Sequence, residues 1–234
     1  HIDVDNAEIN KNITVSLGLN GDIGHIINEL TEQVDKKSLP EWKSQIEQLR
    51  TFEKEHCVLK GDFNPYTIID TVCDNVSKDT VVATDVGQHQ MWVAQRYRFC
   101  KPRSFITSGG LGTMGFGMGA AIGASVATGC PAVLFTGDGS FGMNLNELAT
   151  AVTYNIPVVI VIINNGVLGM VRQWQTLFYG KRYSNTVLGR KTDFVKLADA
   201  FGLKGERVTT VQEFEKAFSN AYKANAPYII DTVI

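Results

Sequence analysis

Two apolar segments, each followed directly by polar residues, decide the fold. Residues 132–140 read AVLFTGDGS, and residues 158–165 read VVIVIINN. Short apolar runs of this kind are typical of strands buried on both faces, as in a parallel sheet. Ligands of such sheets bind beyond the carboxyl ends of the strands. The polar residues after each run are therefore candidates for a binding site.

The alternation of strands and helices extends outward from these two segments. The predicted strands are 80–84, 132–136, 158–163 and 228–233. The predicted helices begin after Asn64, span 144–155 and 193–201, and open on a capping box at Thr210–Glu213. This order predicts an α/β fold, a parallel sheet with helices on both faces.

Three regions are predicted along the chain. Residues 1–36 read as strand, strand and helix, with an alternating strand at Ile13–Leu19 and a helix cap at Asp22. They are too short for a domain and indicate a remnant of another α/β domain. Residues 37–62 are a charged connector with a short helix after Pro40, and residues 63–234 form the main domain.

Composition excludes several classes of protein. The 234 residues carry 22 basic and 24 acidic side chains, so the basic excess of a nucleic-acid binder is absent. The longest apolar run, residues 156–163, is far shorter than the ~20 residues that a membrane span needs. The start resembles neither a signal nor a transit peptide. We expect the four cysteines, which form no C-x-x-C pair, to be small buried side chains of a reducing compartment: Cys57, Cys73, Cys100 and Cys130.

Two polar turns at the strand ends suggest a metal and phosphate site. Asp138 and Asn165 offer a carboxylate and an amide oxygen, which are ligands that Mg²⁺ accepts together with phosphate oxygens. Gly137 and Gly139 allow close approach of an anion, and Ser140 adds a donor. Either turn alone would be read as ordinary loop structure, but their joint position after two strands favours a site.

The glycine-rich segment 110–115 allows different readings. It matches the G-x-G-x-x-G pattern of dinucleotide-binding domains, with Asp138 placed to hold a ribose. The weak strand before it, 104–107 at most, argues against that reading. The small residues from Gly115 to Ala124 also allow a helix to pack closely, whatever ligand is bound.

Longer motifs carry a resemblance to a known family. The G-D-G and N-N turns resemble the thiamine diphosphate motif. Three further stretches resemble acetohydroxyacid synthase (acetolactate synthase), large catalytic subunit: GQHQMW at 87–92, GLGTMGFG at 110–117 and LGMVRQW at 168–174. The resemblance covers nearly the whole chain. It implies a thiamine diphosphate-binding fold, preceded by the end of an FAD-binding-type middle domain.

The resemblance also implies roles for individual residues. Asp138, Asn165 and the carbonyl of Val167 would bind Mg²⁺. The diphosphate would be contacted by Gln88, His89, Gly139 and Ser140, next to Gly137. Gly112 would meet the aminopyrimidine, and Met114 would support the bent cofactor. Met170 and Trp174 would shape the substrate pocket, although Met114, Met170 and Trp174 could also be core side chains and His89 a surface residue.

The implied reaction decarboxylates pyruvate and ligates the two-carbon unit to a second pyruvate or to 2-ketobutyrate, in branched-chain amino-acid biosynthesis. FAD, a homodimer or larger assembly, and a regulatory small subunit would belong to the longer parent. The location would be the bacterial cytoplasm or, in a eukaryote, an organelle. The family's activating glutamate is absent, so we expect this fragment to be inactive alone.

The alternatives are another thiamine diphosphate enzyme (of the pyruvate oxidase or glyoxylate carboligase type), a nicotinamide dehydrogenase, and a non-enzymatic packing module.

Overall fold

The chain divides into two units, residues 1–58 and residues 59–234. The computed structural model describes residues 1–56, 59–189 and 191–234. The first unit contains β1 (Ile2–Asp3), β2 (Leu19–Asn20), α1 (Ile23–Gln33) and α2 (Pro40–His56). The second contains α3 (Pro65–Asn75), β3 (Val82–Thr84), α4 (Gln88–Arg96), β4 (Phe105–Ile106), α5 (Phe116–Thr128), β5 (Ala132–Gly137), α6 (Asp138–Phe141), a 3₁₀ turn (Leu145–Glu147), α7 (Leu148–Thr153), β6 (Val158–Asn164), α8 (Gly169–Phe178), α9 (Phe194–Phe201), β7 (Lys204–Val208), α10 (Val211–Ala224) and β8 (Tyr228–Val233).

The first unit has the predicted order of strand, strand and helix. β1 and β2 pair in parallel, and Asp22 caps α1 by accepting a hydrogen bond from the His25 amide at 2.9 Å. The strand predicted over Ile13–Leu19 is wrong, because only Leu19 of that run is in a strand. β1 has only two residues, which pair with Leu19 and Asn20 and with no earlier residue of the run. The helix after Pro40 has 17 residues and is longer than the sequence suggested.

The second unit is built on a six-stranded parallel sheet with the order β4-β3-β5-β6-β8-β7. This confirms the predicted parallel α/β fold. Sequence analysis missed the edge strand β7, since its residues (KGERV) lack an apolar pattern. An edge strand with charged side chains also resists pairing with other chains.

Helices cover both faces of this sheet. Successive strand residues point to opposite faces, so Phe135 belongs to one core cluster and Leu134 to the other. α3, α4 and α10 pack against the first face, where Phe214 and Phe218 are fully buried. α5, α6, α7 and α9 pack against the second face.

Polar caps set several helix boundaries as the sequence predicted. Asn64 accepts hydrogen bonds from the Tyr66 and Thr67 amides and starts α3. At α10 the capping box is only half formed: Thr210 accepts from the Glu213 amide, but the Glu213 carboxylate accepts from Thr209. The helix predicted at 144–155 begins as the 3₁₀ turn and becomes α-helical at Leu148.

The predicted burial of the cysteines is wrong for two of them. Cys100 and Cys130 are exposed and Cys73 is half-buried, while Cys57 lies outside the described residues. Cys100 and Cys130 lie in the connections before β4 and β5. Within the described ranges, no helix combines the length and apolar character needed to cross a bilayer.

Candidate functional site

Three neighbouring strands bring the predicted site residues to one edge of the sheet. β3, β5 and β6 are adjacent and parallel, with Val82 opposite Val133 and Val133 opposite Val159. Their carboxyl ends therefore lie side by side, as the sequence analysis expected. A cavity of about 180 Å³ opens at this edge.

This cavity collects all ten residues predicted to bind the cofactor, together with the predicted substrate residue Met170. They are Gln88, His89, Gly112, Met114, Gly137, Asp138, Gly139, Ser140, Asn165, Val167 and Met170. Trp174 lies outside it, in a neighbouring groove that shares Met170 and also contains Tyr179 and Arg182. Trp174 is 58% exposed and meets Phe178 edge-on at 5.7 Å between ring centroids.

The G-D-G-S turn joins β5 directly to α6, so Asp138 and Ser140 enter the cavity wall from a strand end. Asp138 is 6% exposed and Ser140 is 2% exposed. A Cβ atom on Gly139 would lie 2.8 Å from Leu168 Cδ2 and 3.1 Å from Leu188 Cδ1. Only glycine fits this contact without displacing its neighbours, which explains the residue type between Asp138 and Ser140.

The two asparagines of the N-N turn at the end of β6 have different hydrogen-bond partners. The Asn164 side chain donates to Asp231, away from the cavity, at 2.8 Å. The Asn165 side chain accepts from the Val167 amide at 3.1 Å and closes the turn, in which Gly166 has a φ of 68°. Asn165 thereby holds Val167 beside Asp138 in the cavity wall.

Residues 186–188, which carry no motif, hold this turn through backbone hydrogen bonds. The Leu188 amide donates to the Gly166 carbonyl and the Leu168 amide donates to the Thr186 carbonyl, both at 2.8 Å. Val187 forms an antiparallel bridge with Val167. Sequence reasoning missed this segment, because the pairing joins residues about twenty positions apart and leaves no local pattern.

His89 is buried at 5% exposure and its ring packs between two glycines. A Cβ on Gly87 would lie 2.8 Å from the ring, and one on Gly137 would lie 3.1 Å from it. Burial lowers the pKa of His89 to about 4, against the opposing charge and backbone carbonyl of Asp85. The imidazole is therefore neutral at pH 7, and the reading of His89 as a surface residue is wrong.

Asp85 is a site-organising residue that sequence analysis did not single out. Its carboxylate is 1% exposed and accepts from the Gly115 amide at 2.7 Å, the Gly117 amide at 3.4 Å and the Thr136 hydroxyl at 3.1 Å. It thus ties the ends of β3 and β5 to the start of α5. An acidic residue after an apolar strand was the available signal.

The same contact argues against the dinucleotide reading of the glycine-rich segment. In that reading, a pyrophosphate would lie at the amino end of α5. Here the Asp85 carboxylate already occupies that helix end. Two negative groups at one helix end would repel each other.

Comparison with known proteins decides the family. Residues 85–232 match the family described as thiamine pyrophosphate enzyme, C-terminal TPP binding domain. The chain belongs to this thiamine pyrophosphate enzyme family. The resemblance inferred from the G-D-G and N-N turns is confirmed.

Similar proteins carry acetolactate synthase names. The chain is 41% identical to the "Probable acetolactate synthase large subunit" of Methanocaldococcus jannaschii, and 40% identical to the acetolactate synthase isozyme 2 large subunit of Escherichia coli. Both matches cover 100% of this chain and 42% of the relative. The chain thus spans less than half the length of the relatives that it matches.

The cavity suits the diphosphate of the thiamine pyrophosphate that this family binds. Among the described residues, His89 Nε2 and Ser140 Oγ are buried without a hydrogen-bond partner. Leaving such atoms unpaired costs about 1–3 kcal/mol each. A phosphate oxygen would accept from the Ser140 hydroxyl, and from His89 in the tautomer that carries its one proton on Nε2.

The metal site would be made mostly of amide oxygens. No cluster of three or more His, Cys, Asp or Glu side chains suited to a metal occurs in the described ranges. Asp138, Asn165 and Val167 offer one carboxylate and two amide oxygens in one cavity wall. That set leaves positions for phosphate oxygens and water, which is typical of Mg²⁺.

Proposed function

We propose that the intact protein is a thiamine diphosphate-dependent acetolactate synthase, a transferase. The observation that supports this most is one cavity that gathers G-D-G-S, the second asparagine of N-N, and two buried, unpartnered donors. Identity of about 40% over the whole chain to proteins named acetolactate synthase adds the reaction. The substrates would be pyruvate and a second 2-keto acid, either pyruvate or 2-ketobutyrate.

Asp138, Asn165 and the Val167 carbonyl would bind Mg²⁺, and the metal would neutralise the diphosphate. Ser140, His89 and Gln88 would donate to phosphate oxygens, while Gly137 and Gly139 leave room for them. At pH 7 the neutral His89 ring carries a single ring N–H, and it would donate to a phosphate oxygen in the tautomer with that proton on Nε2. Bound thiamine diphosphate supplies a carbon nucleophile and an electron sink for the loss of CO₂.

The protein's own contribution beyond binding is shape and exclusion of water. Gly112 lines the cavity with a φ of 69°, next to Met114. The Gly112 backbone would meet the aminopyrimidine, and Met114 would lie between the cofactor's two rings. Leu168 and Met170 add apolar wall beside the polar end of the cavity. An apolar wall limits the access of water to reactive carbon centres.

Trp174 and Met170 would shape the pocket for the second 2-keto acid. Met170 lines both the cavity and the groove that contains Trp174. Met170 would therefore lie between the bound cofactor and the groove in which the second 2-keto acid would bind. Pyruvate and 2-ketobutyrate differ by one methylene, which an apolar pocket can distinguish.

Assembly, further cofactors and location are also part of the proposal. The intact protein would form a homodimer or a larger assembly, bind FAD and associate with a regulatory small subunit, in the bacterial cytoplasm or an organelle. Residues 1–36 would end the FAD-binding-type middle domain, with residues 37–62 as the connector to the domain 63–234.

An assay of the intact protein with pyruvate, thiamine diphosphate, Mg²⁺ and FAD tests the reaction. Acetolactate should form, and addition of 2-ketobutyrate should give acetohydroxybutyrate as well. Release of acetaldehyde or acetyl phosphate instead of acetolactate would reject the synthase in favour of another thiamine diphosphate enzyme.

A further inference from the structure

The Gln88 side chain bridges two parts of the site. Gln88 is the first residue of α4 and lines the cavity. It also lines a second groove, together with Gly169 and Gln173 of α8. The carboxamide therefore lies between the cavity and the first turns of α8.

Gly169 makes room for this side chain. A Cβ atom at Gly169 would lie 2.0 Å from Gln88 Oε1 and 2.8 Å from Gln88 Cδ. Contacts this short cannot exist, so any larger residue at position 169 would expel the Gln88 carboxamide. Gly169 and Gln88 are thus in direct van der Waals contact.

Gln173 holds the carboxamide in this notch. Gln88 Nε2 donates to Gln173 Oε1 at 2.9 Å. Residues 169 and 173 are four positions apart on α8, so they lie on the same face of the helix, one turn apart. Gly169 leaves the space that the Gln88 carboxamide occupies, and Gln173 forms the hydrogen bond that keeps it there.

We propose that Gln173 is a positioning residue that, with the notch at Gly169, orients the Gln88 carboxamide toward an anionic group in the cavity. An amide nitrogen carries two protons, so Gln88 can donate one to Gln173 and offer the other to the anion. The identification of that anion as the diphosphate rests on the proposed function; the contact between α4 and α8 does not.

The arrangement has a consequence for affinity. A glutamine side chain that is free to rotate loses conformational freedom when it binds an anion, and this loss weakens binding. A side chain already held by Gln173 and Gly169 has lost part of that freedom before the ligand arrives. Gln173 therefore acts on the ligand only through Gln88.

The first test measures the contact without any cofactor. Hydrogen exchange of the intact, cofactor-free protein should show about fivefold faster exchange of the Arg172 and Gln173 amides in Gln88→Ala than in the wild type. Gln90→Ala is the matched control, because Gln90 is on the same helix and bonds to Thr107 instead of α8. Unchanged exchange in Gln88→Ala, or equal acceleration in both variants, would overturn the proposal.

The second test measures binding of thiamine diphosphate by calorimetry in the presence of Mg²⁺. Gln173→Leu and Gly169→Ala should each weaken binding about fivefold in the wild-type background. In the Gln88→Ala background, neither change should have a further effect. Additive losses in that background would overturn the positioning role. If the wild type itself binds no thiamine diphosphate, the proposed function fails, while the exchange experiment still decides the contact.

Discussion

Two polar clusters lie on neighbouring strands of the same sheet, and they differ in how their buried groups are paired. At the ends of β3, β5 and β6, His89 Nε2 and Ser140 Oγ lack a partner among the described residues. Between β6, β8 and β7, Asp231 is fully buried yet accepts from Asn164 at 2.8 Å and from Arg207 at 2.8 Å. The first cluster has unpaired polar atoms at a cavity, and in the second the buried carboxylate is paired.

Asn164 and Asn165 are adjacent in sequence but belong to different clusters. Asn164 points to Asp231, and Asn165 is in the cavity wall. Arg207 also donates to Asp193, the cap of α9, at 3.0 Å, so the paired cluster joins a strand to a helix start. The hydrogen bond from Arg207 to Asp231 raises the pKa of this arginine. Pairing of this kind stabilises the fold, whereas unpaired donors in a cavity indicate binding.

The largest effect is expected from removing the Asp231 carboxylate, the centre of the paired cluster. Asp231→Ala should lower the free energy of unfolding by about 3–4 kcal/mol, because Arg207 and Asn164 lose their buried partner. Urea denaturation measures this loss. Asp199→Ala, at an exposed position on α9, should change stability by less than about 0.5 kcal/mol. An Asp231→Ala variant with the same free energy of unfolding as the wild type would contradict the structural role of this cluster.

His89 should make the cofactor-free protein sensitive to acid. Its pKa is lowered to about 4 in the folded state, from an ordinary value of 6.5. Between these values the unfolded chain binds a proton that the folded protein does not, so stability falls as the pH drops from 6.5 to 4. This contribution amounts to about 3 kcal/mol in total.

The check on His89 compares urea denaturation of the wild type and His89→Gln across that pH range. From pH 6.5 to pH 4 the free energy of unfolding of the wild type should fall relative to that of the variant, because the variant lacks this titration. Parallel curves would mean that His89 is not held neutral by burial.

Asp138→Asn should act on binding. Replacing a charged metal ligand by a neutral one should weaken Mg²⁺-dependent binding of thiamine diphosphate about 100-fold in the intact protein. Calorimetric titration measures the change, and Asp231→Asn serves as the control that keeps cofactor affinity. Wild-type affinity in Asp138→Asn would remove Asp138 from the metal site.

The smallest effect is expected at Trp174, at the margin of the cavity. Trp174→Leu should change the ratio of acetohydroxybutyrate to acetolactate about tenfold, as expected for one methylene in an apolar pocket. Leu177→Ala is the control, since Leu177 is 64% exposed on the same helix. The ratio is measured with both acceptors present, and equal ratios in all three proteins would make Trp174 a surface residue without a role in selection.

Sequence reasoning succeeded where the physics is local. The strand 228–233 was predicted to the residue, because a largely apolar run after a helix is a strong pattern. Asn64, Asp193 and Thr210 cap their helices as their side chains predict. The meeting of the G-D-G and N-N turns followed from parallel strand order alone.

The remaining features depend on contacts between distant residues. The Asp85 carboxylate meets amides thirty positions away, and Gln88 meets Gln173 eighty-five positions away. Neither contact has a sequence period. The polar strand β7 forms because β8 pairs with it, whereas β1 pairs with no residue of the segment 13–18. Pairing across the fold outweighed local pattern in both cases.

A thermal melt with candidate cofactors tests the central claim most directly. Thiamine diphosphate with Mg²⁺ should raise the melting temperature of the intact protein, because a ligand bound only by the folded state stabilises it. EDTA should abolish the rise, and NAD should produce none. A rise with NAD, or none with thiamine diphosphate and Mg²⁺ at millimolar concentration, would contradict the assignment of the cavity at the ends of β3, β5 and β6.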